Sequence, residues 1–410
     1  LQKCGSSVIL LLESCVQKLP DSVRAVEMEN LKDSIVSTDS MVDLADEKIL
    51  AIPYKDVPLS WRRLLTDSSL LKAVFQIILI HNSIETIEKI QLLRQICHGL
   101  DTAIVVAGAP GHNRRIVIDS ILDIAQSQLY QLQAQSDATM DSQLSSKRRR
   151  LTDEESSPMT LGFPINTFSA SPSFMEFNNY INSDTANPMV MENIIDHWPA
   201  LNDHPWHSMP YLLSVAGERL VPVEFGSQYT DADWSQRMMP FREFVNNYVQ
   251  VGTGAKNNIA YLAQHDLFHQ IPRLEQDIIV PDYCYVTPKI TEHYERQPSD
   301  VITNAWFGPG GTVSPLHHDP YHNLLAQVVG SKYIRLYAPG QSSQLYPHAG
   351  MMSNTSQVNV EKVDEDRFPN FKDAKYVECV LKAGQVLYIP PKWWHYVRSL
   401  ETSFSVSFWF

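Results

Sequence analysis

The stretch Ser314-Pro-Leu-His317-His-Asp319-Pro-Tyr-His-Asn323 sets an imidazole and a carboxylate two residues apart. On a strand, side chains so spaced leave the same face, so His317 and Asp319 can offer two donors to one metal ion. Far downstream, Trp393-Trp394-His395 supplies a second imidazole. Two histidines and one carboxylate take one side of a metal and leave its other positions open, a ligand set suited to non-haem Fe(II) and O₂ chemistry.

Each piece also has an ordinary reading. A His-x-Asp step before Pro320 makes a loop with an Asp turn. A histidine on an apolar face, like His395 between Trp393 and Val397, is more often a satisfied core residue than a ligand. His318 should point away from its neighbours. His322 is a competing ligand, ranked below His317 because Pro320 disturbs the alternation before it. The deciding element is Lys332-Tyr-Ile334-Arg-Leu336-Tyr-Ala338, where Lys332 shares its face with Ile334, Leu336 and Ala338. A lone lysine on an inward face needs a partner, and an anionic ligand with a free carboxylate would be one; the alternative is a stem that snorkels to the rim. Ser314 and Asn323 flank the His-x-Asp step and could hydrogen-bond the same ligand.

These residues need a scaffold that brings distant segments together. Short strand candidates separated by Gly and Pro signals occupy Leu220 to Glu224, Val301 to Phe307, Leu324 to Val329, Tyr333 to Tyr337, Tyr376 to Leu381, Val386 to Ile389 and Phe404 to Phe410, with a second strand directly after Pro390-Pro391. Such spacing predicts a sandwich or barrel over residues 166–410, with a helix over Phe241 to Val249. Residues 1–135 read as a helical domain. Ser83 to Cys97 carries an apolar stripe with Ser83 as cap and Gly99 past the end; Asn113 precedes a second stripe ending near Leu129; Leu70 to Ile80 is apolar nearly all round, as a buried helix would be. Between them, residues 136–165 are polar and aperiodic, a flexible linker. It holds Lys147-Arg148-Arg149-Arg150, either a nuclear-import signal or a chance basic run in a solvated segment.

The chain has 410 residues, enough for two domains. A net charge of -13 argues against broad binding to nucleic acid or anionic membrane. Five scattered cysteines with no Cys-x-x-Cys pair read as reduced thiols of a cytosolic or nuclear protein and give no support to a zinc finger. The longest unbroken apolar runs are too short to span a bilayer. No signal peptide is visible, but the chain begins at Leu1 rather than Met, so the true N-terminus and any targeting information are expected upstream.

Together, Asn304-Ala-Trp-Phe-Gly308, the His317-His-Asp319 step, Lys332-Tyr-Ile-Arg-Leu-Tyr337, Trp393-Trp-His395-Tyr and the closing Ser403 to Trp409 segment resemble the jumonji-C family of 2-oxoglutarate oxygenases, in a branch with a helical domain before the barrel. Asn193 to Ala200 and Tyr261 to His265 extend the resemblance, which covers roughly 166–410. It implies a double-stranded β-helix (a cupin-like jelly roll) preceded by an all-helical domain, an α+β chain. It implies Fe(II) held by His317, Asp319 and His395, and 2-oxoglutarate paired with Lys332 and hydrogen-bonded by Tyr261, Ser314 and Asn323, with O₂ as oxidant. It also implies a substrate pocket of Glu224, Trp234 and Trp306, beside a Val286 to Ser299 segment able to alter specificity. Glu224 could pair with a guanidinium and the two tryptophans could stack on it, though ordinary packing is the commoner fate of a tryptophan. The expected activity is C-hydroxylation of an arginine in a protein or peptide substrate. The alternatives are demethylation of a histone methyl-lysine in chromatin regulation, a catalytically silent binding module acting in transcription, and an isomerase on the same barrel, which would not need Lys332. The expected location is the nucleus, with the cytoplasm also open.

Overall fold

A computed structural model describes residues 4–19, 28–82, 85–140, 159–183, 186–226, 234–250 and 259–410, and within it the chain divides into two compact units. The basic cluster Lys147 to Arg150 lies outside the described residues.

The first unit is built on five helices, α1 (Ser6–Gln17), α2 (Met28–Leu50), α3 (Leu59–Asn82), α4 (Thr86–Val105) and α5 (Arg114–Met140). By length and composition α3 could cross a membrane. Just over half of its apolar stretch is buried inside the unit. Leu64, Leu65, Phe75, Ile78 and Leu79 join one core with α1 and α2, and Ala73 joins a second with α4 and α5. A helix that faces two cores must be apolar on more than one side. The predicted cap Ser83 lies outside the described residues, and the stripe from Thr86 onward forms α4, yet the helix does not stop at Gly99. An added Cβ there would meet nothing within 4 Å, and Leu100, Ala103 and Ile104 beyond it are buried. Packing past the glycine outweighs its propensity cost of about 1 kcal/mol. Asn113 enters α5 with φ 59°, a left-handed turn that asparagine tolerates. At its other end α5 reaches Met140, inside the stretch whose composition reads as linker.

Leu212–Leu220 and Pro240–Arg242 also belong to this unit. The Asp101 carboxylate accepts from Arg219 Nη2 at 2.7 Å and Nε at 3.0 Å, with both side chains almost wholly buried. Removing one partner strands a buried charge, which typically costs about 3–5 kcal/mol. Asp101→Ala is therefore expected to lower the unfolding transition of the helical unit by that order, measured by calorimetry on the full chain.

The second unit is mostly strand: β1 (Thr167–Phe168), β2 (Met189–Met191), β3 (Leu220–Phe225), β4 (Ser235–Pro240), β5 (Ala260–His265), β6 (Ile302–Gly308), β7 (Val313–His317), β8 (Asn323–Val329), β9 (Ser331–Tyr337), β10 (Tyr376–Lys382), β11 (Val386–Ile389), β12 (Trp394–Ser399) and β13 (Ser403–Trp409). They form a nine-stranded sheet in the order β1-β2-β11-β8-β13-β6-β5-β3-β4 and a four-stranded sheet in the order β10-β9-β12-β7. Leu325, Leu387 and Ile389 from the larger sheet pack with Ile334, Leu336 and Val397 from the smaller, giving the two-walled jelly roll that the strand spacing implies. On the outer face of the small sheet, Tyr333, Tyr337, Trp394 and Tyr396 fill a separate core with Phe368 and Phe371. The helix at Phe241 begins as α and loosens into a π-turn over Val245–Val249.

Candidate active site

Between the two sheets lies a cavity lined by Tyr261, Ser314, His317, Asp319, Asn323, Lys332 and His395 among polar groups. His395 on β12 pairs directly across from His317 on β7, and the two rings sit 4.2 Å apart at 54°. The ligand atoms of His317, Asp319 and His395 all lie within 4.8 Å of one another, and together they could hold a metal ion.

The backbone reaches this arrangement differently from the alternation expected of His-x-Asp. Strand β7 ends at His317, so Asp319 stands in the loop beyond it. Lys392 pins that loop, its N–H donating to the Asp319 carbonyl at 2.8 Å. Lys392 itself adopts φ 62°, a conformation lysine rarely takes. On the other side of His317, the register jumps: His395 faces His317, but Val397 faces Ser314. This bulge adds one residue to β7. It explains how Ser314 and His317, an odd number of residues apart, both line the cavity.

Each imidazole is aimed by its own chain. His317 Nδ1 meets the Pro315 carbonyl at 2.7 Å, and His395 Nδ1 meets the Trp393 carbonyl at 2.9 Å. When Nδ1–H donates to a carbonyl, the Nε2 lone pair is left facing the cluster. His395 Nε2 and Asp319 Oδ2 are 3.5 Å apart, long for a hydrogen bond and suited to two atoms aimed at a common point. Burial, then the His395 charge, push His317 down to about 4 against the pull of Asp319. Burial alone would raise Asp319, but the His395 contact and the histidine charges outweigh it and hold the carboxyl below its ordinary value. A neutral imidazole and an ionised carboxylate are the states a divalent metal requires.

His318 points the other way, edge-on to Trp394 at 4.6 Å. His322 donates or accepts at Tyr388 OH (2.8 Å) and packs among Tyr294, Tyr388 and Phe410. It is a core histidine outside the cluster.

Lys332 does not snorkel. It is 2 % exposed, shares the inner face with Ile334 and Leu336, and its Nζ donates to Tyr261 OH at 3.1 Å. Among the described residues no carboxylate forms an ion pair with it. Burial lowers it to about 7. Asn323 is buried and its Oδ1 has no hydrogen-bond partner among the described residues. A lone cation, a phenol, a hydroxyl and an unsatisfied amide beside a metal-ligand cluster fit a small dicarboxylate that chelates at one end.

Glu224 on β3 pairs in register with Tyr261 on β5. Its carboxylate accepts from Trp234 Nε1 at 3.3 Å, and burial, opposed by that bond, raises it above its ordinary value. Trp234 is 38 % exposed, and neither it nor Glu224 is among the residues that line the cavity. Trp306 lines the cavity beside Tyr261, ring centroids 6.2 Å apart. Leu325, Ile389, Val397 and Ser407 complete the lining. Sequence reasoning did not single out Ser407; the Phe-Ser alternation of β13 was the available signal.

A family profile described as a cupin-like domain matches residues 174–410. Curated relatives include lysine-specific demethylase 8 of Xenopus tropicalis, 53% identical over 54% of this chain and 47% of the relative. Another is Jumonji C domain-containing protein 5 of Drosophila melanogaster, 46% identical over 58% of each. A more distant one, 2-oxoglutarate and iron-dependent oxygenase JMJD4 of Gallus gallus, is 25% identical over 53% of this chain and 52% of its own length. The chain thus spans about half the length of the relatives it matches.

If His395 is a ligand and His322 is not, the two substitutions must separate. His395→Ala is expected to weaken Mn(II) binding by at least about a hundredfold, and His322→Ala to leave it within a few fold, both read by titration calorimetry on folded protein.

Proposed function

The chain belongs to the cupin-like family, in its jumonji-C branch, and on that premise we propose that it is an Fe(II)- and 2-oxoglutarate-dependent oxygenase acting on a cationic side chain of a protein. The observation that carries this is the juxtaposition, in one cavity, of the His317–Asp319–His395 cluster with a buried lysine that no carboxylate among the described residues pairs. In this reading His317, Asp319 and His395 hold the iron. Lys332 takes the far carboxylate of 2-oxoglutarate, with Tyr261, Ser314 and Asn323 as hydrogen-bonding neighbours. Leu325, Ile389 and Val397 keep water from the reacting centre. Bound iron and cosubstrate supply the oxidation: 2-oxoglutarate and O₂ give succinate and CO₂, and one oxygen atom enters a substrate C–H bond. An isomerase reading leaves Lys332 without a role, and a silent binding module has no use for an intact ligand set.

Two finer readings share this centre. Demethylation of a histone methyl-lysine has the support of the relatives' printed names, in which lysine-specific demethylase recurs. There the N-methyl carbon is hydroxylated and leaves as formaldehyde. Arginine hydroxylation is favoured by Glu224 beneath Trp234, since a half-buried carboxylate can accept from two guanidinium N–H groups while a trimethylated ammonium offers none. A histone substrate and an import role for Lys147 to Arg150 would each favour a nuclear location. Incubation with arginine- and methyl-lysine-bearing basic peptides decides: formaldehyde supports the first, a peptide gaining one oxygen without formaldehyde supports the second. Failure of the wild-type protein to convert 2-oxoglutarate with any peptide, where the Fe(II) site is filled, would falsify the oxygenase reading.

Lys332 also predicts a pH dependence. In the free protein burial holds it near 7, and a bound carboxylate favours its charged form. Binding therefore takes up a proton between the two values. Affinity for 2-oxoglutarate with Mn(II) is expected to be flat below about pH 7 and to fall by up to about tenfold per pH unit above it. An affinity independent of pH from 6 to about 9 in calorimetry would remove Lys332 from that role.

A further inference from the structure

Strand β13 alternates Phe404, Val406 and Phe408 with Ser403, Ser405 and Ser407. The apolar set packs on Trp198, Trp206 and Phe307. The serines are as buried as the phenylalanines, at 0 %, 0 % and 1 % exposure. Three hydroxyls in a core need three reasons, because an unpaired one costs about 1–3 kcal/mol. Two are met by Gln327 of β8, whose Nε2 donates to Ser403 Oγ at 2.9 Å and whose Oε1 accepts from Ser405 Oγ at 2.7 Å. Ser407 takes no part in that pair. It lines the cavity and accepts from Trp306 Nε1 at 2.9 Å.

Trp306 in turn stands against Tyr261, rings tilted at 42°, within the range where aromatic pairs attract. The Tyr261 hydroxyl is the group that Lys332 Nζ contacts, at 3.1 Å. Indole and phenol each have a few rotamers open to them, and local contacts select among these. Among the described residues, the polar contact that fixes the indole is Ser407.

We propose that Ser407 is a positioning residue for the cosubstrate cation: it sets the Trp306 ring, which holds the Tyr261 phenol in place, which orients the Lys332 ammonium. The proposal rests on 2-oxoglutarate being the ligand of Lys332. A serine that merely satisfied a buried indole would affect stability and leave ligand affinity alone.

The test is calorimetric binding of 2-oxoglutarate with Mn(II) to the full chain, with a melting curve for every variant. Ser407→Ala should raise Kd about fivefold to tenfold, and Ser407→Thr, which keeps the hydroxyl on a strand-compatible side chain, should stay within twofold. Trp306→Phe, which keeps a ring but loses the N–H, should match Ser407→Ala. The double variant should be no worse than either single one, since both remove the same contact. Wild-type binding with an unchanged Kd in folded Ser407→Ala overturns the relay alone, as does full additivity in the double variant. No binding by wild type, at concentrations where Mn(II) binds, overturns the cosubstrate reading and the relay together. If Ser407→Ala does not fold, an unchanged Kd in folded Trp306→Phe overturns the relay in its place, and a Kd raised fivefold to tenfold there supports it.

Discussion

The site depends on one inter-strand register, the pairing of β12 with β7. Setting His395 opposite His317 brings two imidazoles from distant parts of the chain into ring contact. The bulge directly behind them lets Ser314 reach the same cavity. Backbone carbonyls, of Pro315 and Trp393, then orient both rings. The donors are thus built into the sheet, and only Asp319 comes from a loop, itself tied to the β11–β12 turn through Lys392. A site on strands holds its geometry more closely than one on loops. The unusual φ of Lys392 marks where the backbone bears strain to complete it.

The electrostatics follow from the same enclosure. Low-dielectric walls keep His317 neutral and would also neutralise Asp319 were it not for the histidines beside it. Lys332 has no such compensation: burial lowers it, and a phenol is its polar contact. A charge left in that state works against the folded protein, and a ligand that supplies the opposite charge recovers the energy as affinity. The unsatisfied Asn323 amide points the same way on a smaller scale. These groups would be defects in a purely structural barrel.

Much of this was legible in the sequence where the signal was local. The alternation in Lys332 to Ala338 placed the lysine inward, and the two prolines before Trp393 correctly separated β11 from β12. What was not legible was anything that depends on a neighbouring strand. His-x-Asp suggested strand alternation, whereas β7 ends at its first residue and a loop carries its last. The bulge at Ser314 and the role of Ser407 are properties of paired strands, and a serine in a strand looks alike whether it faces Gln327 or an indole. In the helical unit, Gly99 reads as a stop, and only the buried side chains beyond it carry the helix on. Glu224 and Trp234 come together because β4, which begins directly after Trp234, returns beside β3, which composition does not reveal.

The division of labour within the cavity also limits what the metal cluster alone can say about substrate. Hydroxylating an arginine carbon and hydroxylating an N-methyl group need the same ligands, the same cosubstrate and the same dry enclosure. The choice between them must lie where the cationic head is held. On the proposed reading Glu224 is the acid that meets it, raised by burial and touched by one indole N–H. A guanidinium would meet it with paired N–H donors and restore its charge. A methylated ammonium would meet it with fewer donors as methylation proceeds, and would lean more on the faces of Trp234 and Trp306. The two substrates thus place opposite demands on one carboxylate: Glu224→Gln should cost an arginine substrate its charge-assisted pairing and cost a trimethylated lysine much less. On the proposed reading, the balance of hydrogen bonding against cation–π contact around Glu224, rather than the metal ligands, would set specificity.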